Sequence, residues 1–201
     1  AEQLTAWTHG LGAELGIIAL VLLLLYSDHK FPGSPFSVTV YGISINVLFL
    51  ASTFYHAVEG EKRKHYFRIV DHISIYFLIA GTYTPVLLIV LRESLGWPLF
   101  ATVWGIAAFG VILKIFFTGK FELFSTLLYL VMGWLIIFDF SNLSTAMGSD
   151  GVLWLFAGGL SYTLGIVFYV IQKIPYNHVI WHLFVLAGAI CHFFMIFLHV
   201  I

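Results

Sequence analysis

The chain has 201 residues, of which 61% are hydrophobic and only 9% charged, with a mean hydropathy of +1.00. A water-exposed domain needs roughly a quarter of its residues charged, so a soluble surface is excluded and lipid is the expected solvent. Net charge is −1 and no Lys/Arg-rich tract exceeds one short loop, which excludes nucleic-acid binding.

About 20 mostly apolar residues are needed to span a ~30 Å hydrocarbon core as a helix, and seven such stretches fill the sequence. The first runs from Leu11 to Tyr26, without a basic leader or cleavage-site pattern, and reads as a retained helix rather than a signal peptide. A turn-rich segment, Ser27 to Pro35, separates it from the second, Phe36 to His56. The charged loop Glu59 to His65 leads into the third, Ile69 to Leu91. The fourth spans Trp97 to Phe117, the fifth Leu123 to Phe140, and the polar connector Ser141 to Asp150 follows. The sixth covers Val152 to Ile171 and the seventh Tyr176 to Val200. The expected fold is an all-α integral membrane protein, one domain over residues 1–201, built as a seven-transmembrane-helix bundle. No repeat of fixed period suggests inverted-repeat transporter architecture.

Short loops rich in Lys and Arg stay in the cytoplasm. With an inner amino terminus, Lys62, Arg63, Lys64, Arg68, Lys114, Lys120 and Lys173 are inside, and Lys30 and Arg92 are outside. The sequence therefore predicts a cytoplasmic amino terminus and a carboxyl terminus outside, in a multi-pass protein of a bacterial inner (plasma) membrane.

Polar side chains inside apolar helices are costly unless they face the bundle, so the nine histidines need individual accounts. His9, His29, His65 and His199 lie at helix ends or in loops and read as solvated or interfacial. His56 ends the second helix, Asp71 opens the third, and His178 and His182 open the seventh, all at one membrane depth. His178 and His182 are four residues apart, so one helix face presents both rings to a single ion. Three imidazoles with one open position form the usual catalytic zinc set. Hence His56, His178 and His182 are the expected metal ligands and Zn2+ the expected cofactor. Asp71 is placed as a proton acceptor or outer group, and Ser52, one turn deeper than His56, as a holder of water or a substrate carbonyl. His72 points about 100° away from Asp71 and reads as a neighbouring or interfacial group. His192, ten residues beyond His182, reads as a buried partner within the bundle. Glu14 and Asp139 are intramembrane acids without an assigned partner. Cys191, the single cysteine, reads as a small core residue, and the tryptophans as interface anchors or packing.

These residues in this order resemble the hemolysin III branch of the PAQR (progestin and adipoQ receptor) family, within a wider superfamily that includes the alkaline ceramidases. The resemblance covers Thr8-His9-Gly10, Ala51-Ser52-Thr53-Phe54-Tyr55-His56, Asp71-His72 and Ala80-Gly81-Thr82-Tyr83-Thr84-Pro85. It continues through Ser125 to Trp134 and through Pro175-Tyr176-Asn177-His178-Val179-Ile180-Trp181-His182 to Gly188. It implies seven helices, a cytoplasmic amino terminus, zinc held by His56, His178 and His182, and Ser52 and Asp71 around it. It further implies hydrolase chemistry like the ceramidase activity associated with the adiponectin receptors, and a link to membrane lipid homeostasis. Three functions follow as expectations. The first is a zinc-dependent hydrolase cleaving an amide or ester of a membrane lipid. The second is a sensor in which zinc ties helices together. The third is a pore former or lytic factor, disfavoured because no polar stripe runs the full depth of the sequence's helices. A membrane lipid is the expected substrate or ligand.

Overall fold

A computed structural model describes residues 2–27 and 33–201. The expected placement of His29 and Lys30 lies outside the described residues. Among these the chain is all helical, in the order α1 (Glu2–Tyr26), α2 (Ser34–Ala57), α3 (Glu61–Pro85), α4 (Gly96–Phe117), α5 (Glu122–Trp134), α6 (Phe140–Val170) and α7 (Asn177–His199). A π-helical turn, Val86–Val90, extends α3, and a 3-10 turn, Leu135–Asp139, joins α5 to α6.

Among the described residues six helical stretches are long and apolar enough to cross a membrane, where the sequence predicted seven. The difference lies in Glu122–Val170, which is helical almost throughout and absorbs the expected fifth helix, the connector 141–150 and the expected sixth. The connector is not a loop, because Ser, Asn and Thr there stay helical, with Ser144 and Thr145 hydroxyls donating to the Ser141 carbonyl. The stretch is nonetheless not straight. Gly148 has φ 68° and ψ −178°, a conformation essentially restricted to glycine, and the chain reverses around it. Trp134 Nε1 donates to Thr163 Oγ1 at 3.2 Å, and Phe140 packs on Phe156 at 5.7 Å. Residues 29 apart along a straight helix would be separated by ~43 Å.

Two further boundaries move. The first helix starts at Glu2 rather than Leu11, so Thr8-His9-Gly10 lies inside it, and α3 takes up Glu61 to His65 from the expected loop. Hydropathy marks where lipid begins, but a helix continues past that point wherever its polar side chains find protein partners. α1, α2 and α3 pack in sequence, α6 lies along α7, and α7 closes back on α1. The α1–α2 contact is tight because Gly12 faces Phe49: a Cβ there would lie 2.5 Å from the Phe49 ring. Small residues of this kind let membrane helices approach closely. Outside the bundle stand bare apolar side chains such as Trp7, Leu25, Phe116 and Phe138, the surface expected of a protein solvated by hydrocarbon.

The outcome is a bundle with two unlike ends. The starts of α1, α3, α5 and α7 meet the ends of α2, α4 and α6 at one of them. At the other, Asp139 accepts from the Leu95 amide at 2.9 Å and from Asn142 Nδ2 at 2.7 Å. This acid thereby gains partners that the sequence did not reveal.

Candidate metal centre

α2 and α7 bring the three expected imidazoles together. His178 Nε2 lies 3.2 Å from His56 Nε2 and 3.1 Å from His182 Nε2, and one nitrogen from each ring falls within 4.8 Å of the others. Zn–N bonds of 2.0–2.1 Å at tetrahedral angles put ligand nitrogens about 3.3 Å apart, so the observed separations suit such an ion. His182 and His56 are buried and His178 half-buried. The local cause is ordinary helix geometry. Tyr176 turns the chain in the left-handed region with φ 56°, α7 begins at Asn177, and two consecutive turns of one face then carry His178 and His182.

Ser52 is buried one turn from His56 on α2, and Asp71 lies within α3. Both line a cavity of about 560 Å³ that also touches His178 and His182. All five expected site residues are therefore close together at one end of the bundle. A second, apolar cavity of about 120 Å³ continues inward from the first, sharing Leu48, Ile75, Thr126, Tyr169, Trp181 and Val185 with it. His192 lies along that inner cavity with Nε2 at 3.2 Å from the Leu155 carbonyl, a partner within the bundle.

The structure corrects one reading and adds one residue. His9 is not a solvated helix end: it is only 3% exposed, lines the larger cavity, and stacks on His182 with ring centroids 3.7 Å apart. Glu2, which the sequence did not single out, has Oε2 at 3.1 Å from His56 Nδ1 and Oε1 at 3.0 Å from Lys64 Nζ. The spacing of Glu2, Thr5 and His9 on one face was the available signal. Beside the site, Glu122 collects Lys114 at 2.7 Å and Arg68 at 3.4 Å, with His72 Nδ1 at 3.8 Å. His72 is thus a neighbour of the site on the α4–α5 side. Glu14 is exposed on the outer face of α1.

The "Haemolysin-III related" family model matches residues 1–193. The chain belongs to the haemolysin-III-related family. Hemolysin-3 of Bacillus cereus is 46% identical over 201 residues, covering 100% of this chain and 92% of that protein. The hemolysin-3 homolog of Bacillus subtilis (strain 168) is 43% identical over 198 residues, covering 97% of the chain and 92% of the homolog. The human monocyte to macrophage differentiation factor is 32% identical over 199 residues, 94% of the chain and 80% of that protein. The membership expected from the sequence motifs is thus established, and with the apolar helices it makes this member of the haemolysin-III family a multi-pass membrane protein.

Proposed function

We propose that this family member is a zinc-dependent hydrolase that cleaves an amide or ester bond of a membrane lipid, in the manner of a ceramidase, and serves membrane lipid homeostasis. The observation that carries the reading is the convergence of three imidazole nitrogens on one point at the wall of a cavity that runs from polar to apolar. An amphiphile fits such a cavity, with its polar linkage beside the histidines and its tail in the inner part.

In this reading His56, His178 and His182 hold the ion. Zinc bound there supplies a Lewis acid and an acidified water. Asp71 accepts the proton of the attacking water and returns it to the amine or alcohol that leaves, and Ser52 donates a hydrogen bond to the oxygen on which charge develops. The inner apolar cavity holds the tail and keeps bulk water from the reacting carbonyl. The bundle crosses a bacterial inner membrane seven times as a single domain, the stretch Glu122–Val170 crossing twice around Gly148. The amino terminus is cytoplasmic and the carboxyl terminus outside, since Lys and Arg gather at the histidine end.

Purified protein in lipid is expected to release fatty acid from an amide or ester lipid, to stop after chelation, and to recover with added zinc. His182→Ala should abolish turnover; equal release from that variant, or from fully chelated protein, overturns the reading. One observation favours a second: the triad joins α2 to α7, so an ion there would also clamp the bundle as a sensor's structural zinc. Chelation that lowers the melting temperature while no lipid is ever cleaved would favour it. The name of the Bacillus cereus relative, hemolysin-3, suggests lysis, and leakage of liposomes by pure protein at low dose would support a third, pore-forming reading.

A further inference from the structure

Helix α1 supplies none of the three converging nitrogens, yet it touches two of the three rings. Glu2 and His9 are seven residues apart, two turns along one face. Each reaches a different imidazole: Glu2 Oε2 is 3.1 Å from His56 Nδ1, and the His9 ring is stacked on His182 at 3.7 Å with the planes tilted by 34°.

The two contacts do different physical work. An imidazole that donates Nδ1–H to a carboxylate has its Nε2 lone pair free, and it is Nε2 of His56 that faces His178. Glu2 is itself held, because Lys64 at the start of α3 takes its other oxygen at 3.0 Å. His182 lacks such a brace: its Nδ1 has no hydrogen-bond partner among the described residues. Its plane is set instead by the face of His9, which is in turn supported edge-on by Phe49 at 5.0 Å and 87°. Gly12, one turn further on, allows the approach to Phe49 that makes this sandwich.

We infer that α1 is the orienting helix of the metal centre, with Glu2 and His9 as positioning residues. Glu2 fixes the tautomer and direction of His56 through a hydrogen bond, and His9 fixes the plane of His182 through stacking. The inference rests on the zinc reading above and adds to it how the imidazoles are kept aimed at one point. A partner of a ligating histidine, when removed, typically costs 10–100-fold in metal affinity.

The test is a zinc titration of the full chain in detergent against a chromophoric chelator, beside the melting temperature of the metal-free protein. Glu2→Ala is expected to weaken zinc about 10–100-fold. Glu2→Gln should lose less, because an amide oxygen still accepts from Nδ1–H. His9→Ala should weaken zinc whereas His9→Phe should restore most of it, since stacking needs a ring and not a nitrogen. Glu14→Gln, on the exposed face of the same helix, should change nothing. If wild type and the Glu2→Ala and His9→Ala variants bind zinc equally, the orienting role is overturned while the zinc reading stands. If wild type takes up no zinc, the zinc reading falls and this inference with it. A loss of affinity matched by an equal fall in metal-free melting temperature would make both residues mere parts of the fold, and His9→Phe as weak as His9→Ala would overturn stacking.

Discussion

Single side chains divide here by what they touch. His178 faces His56 at 3.2 Å and His182 at 3.1 Å, whereas Ser52 and Asp71 sit across α2 and α3 on the cavity wall. If those two assist the reaction rather than hold the ion, their loss should separate turnover from metal content. Asp71→Asn should lower kcat by about 10²–10⁴, the usual worth of a positioned proton acceptor. Ser52→Ala should lower it by about 10²–10³, the worth of one donor to a developing oxyanion. Zinc measured by elemental analysis should remain at one per chain in both. Loss of metal in either variant would place that residue in the ligand set instead. That these five residues meet at one end of the bundle was legible in the sequence, because helix periodicity converts a four-residue spacing into a shared face and short loops place helix ends at common depth. Glu2 and His9 were passed over despite their shared-face spacing, because hydropathy begins the first helix at Leu11 and assigns everything before it to water. Their partners, His56 and His182, lie 54 and 173 residues away in sequence, and no local pattern carries that proximity.

Elements obey a different limit. Composition located every apolar segment, but the reversal between the expected fifth and sixth was sought in the polar run Ser141 to Asp150 as a whole. In the structure the turn is made at Gly148 within helix on both sides. Serine and threonine lose little by staying helical when their hydroxyls bond back to carbonyls three or four residues earlier, as Ser144 and Thr145 do. What breaks the helix is backbone freedom rather than polarity. The position is open, with nothing within 4 Å of a Cβ, so the cost of a side chain there is purely conformational. Gly148→Ala should therefore destabilise the protein by about 1–3 kcal/mol, seen as a lower melting temperature in detergent. Gly159→Ala is the matched control: it also has open space but lies in regular α6, where alanine is the better helix former. It should leave the melting temperature unchanged or slightly raised, and an equal fall in both variants would remove the turn from Gly148.

For the whole molecule the decisive quantity is length. A straight helix over the 49 residues Glu122–Val170 would reach ~73 Å, more than twice a ~30 Å hydrocarbon core. The Trp134–Thr163 bond requires the chain to return on itself. Two crossings in that stretch put Lys120 and Lys173 on the same side of the membrane and Ser149 on the other, whereas one crossing would put Lys120 and Lys173 on opposite sides. Single cysteines at these three positions, in a Cys191→Ala background, read the difference directly with a membrane-impermeant maleimide. In intact cells the Ser149→Cys variant should label, and Lys120→Cys and Lys173→Cys should label only after the membrane is opened. Labelling of Lys120→Cys and Lys173→Cys from opposite sides would reduce the crossings to six and move the carboxyl terminus inside. Labelling of both from outside alone would keep seven crossings and invert the bundle, carrying the histidine end away from the cytoplasmic leaflet where the positive charge of its loops is expected to hold it.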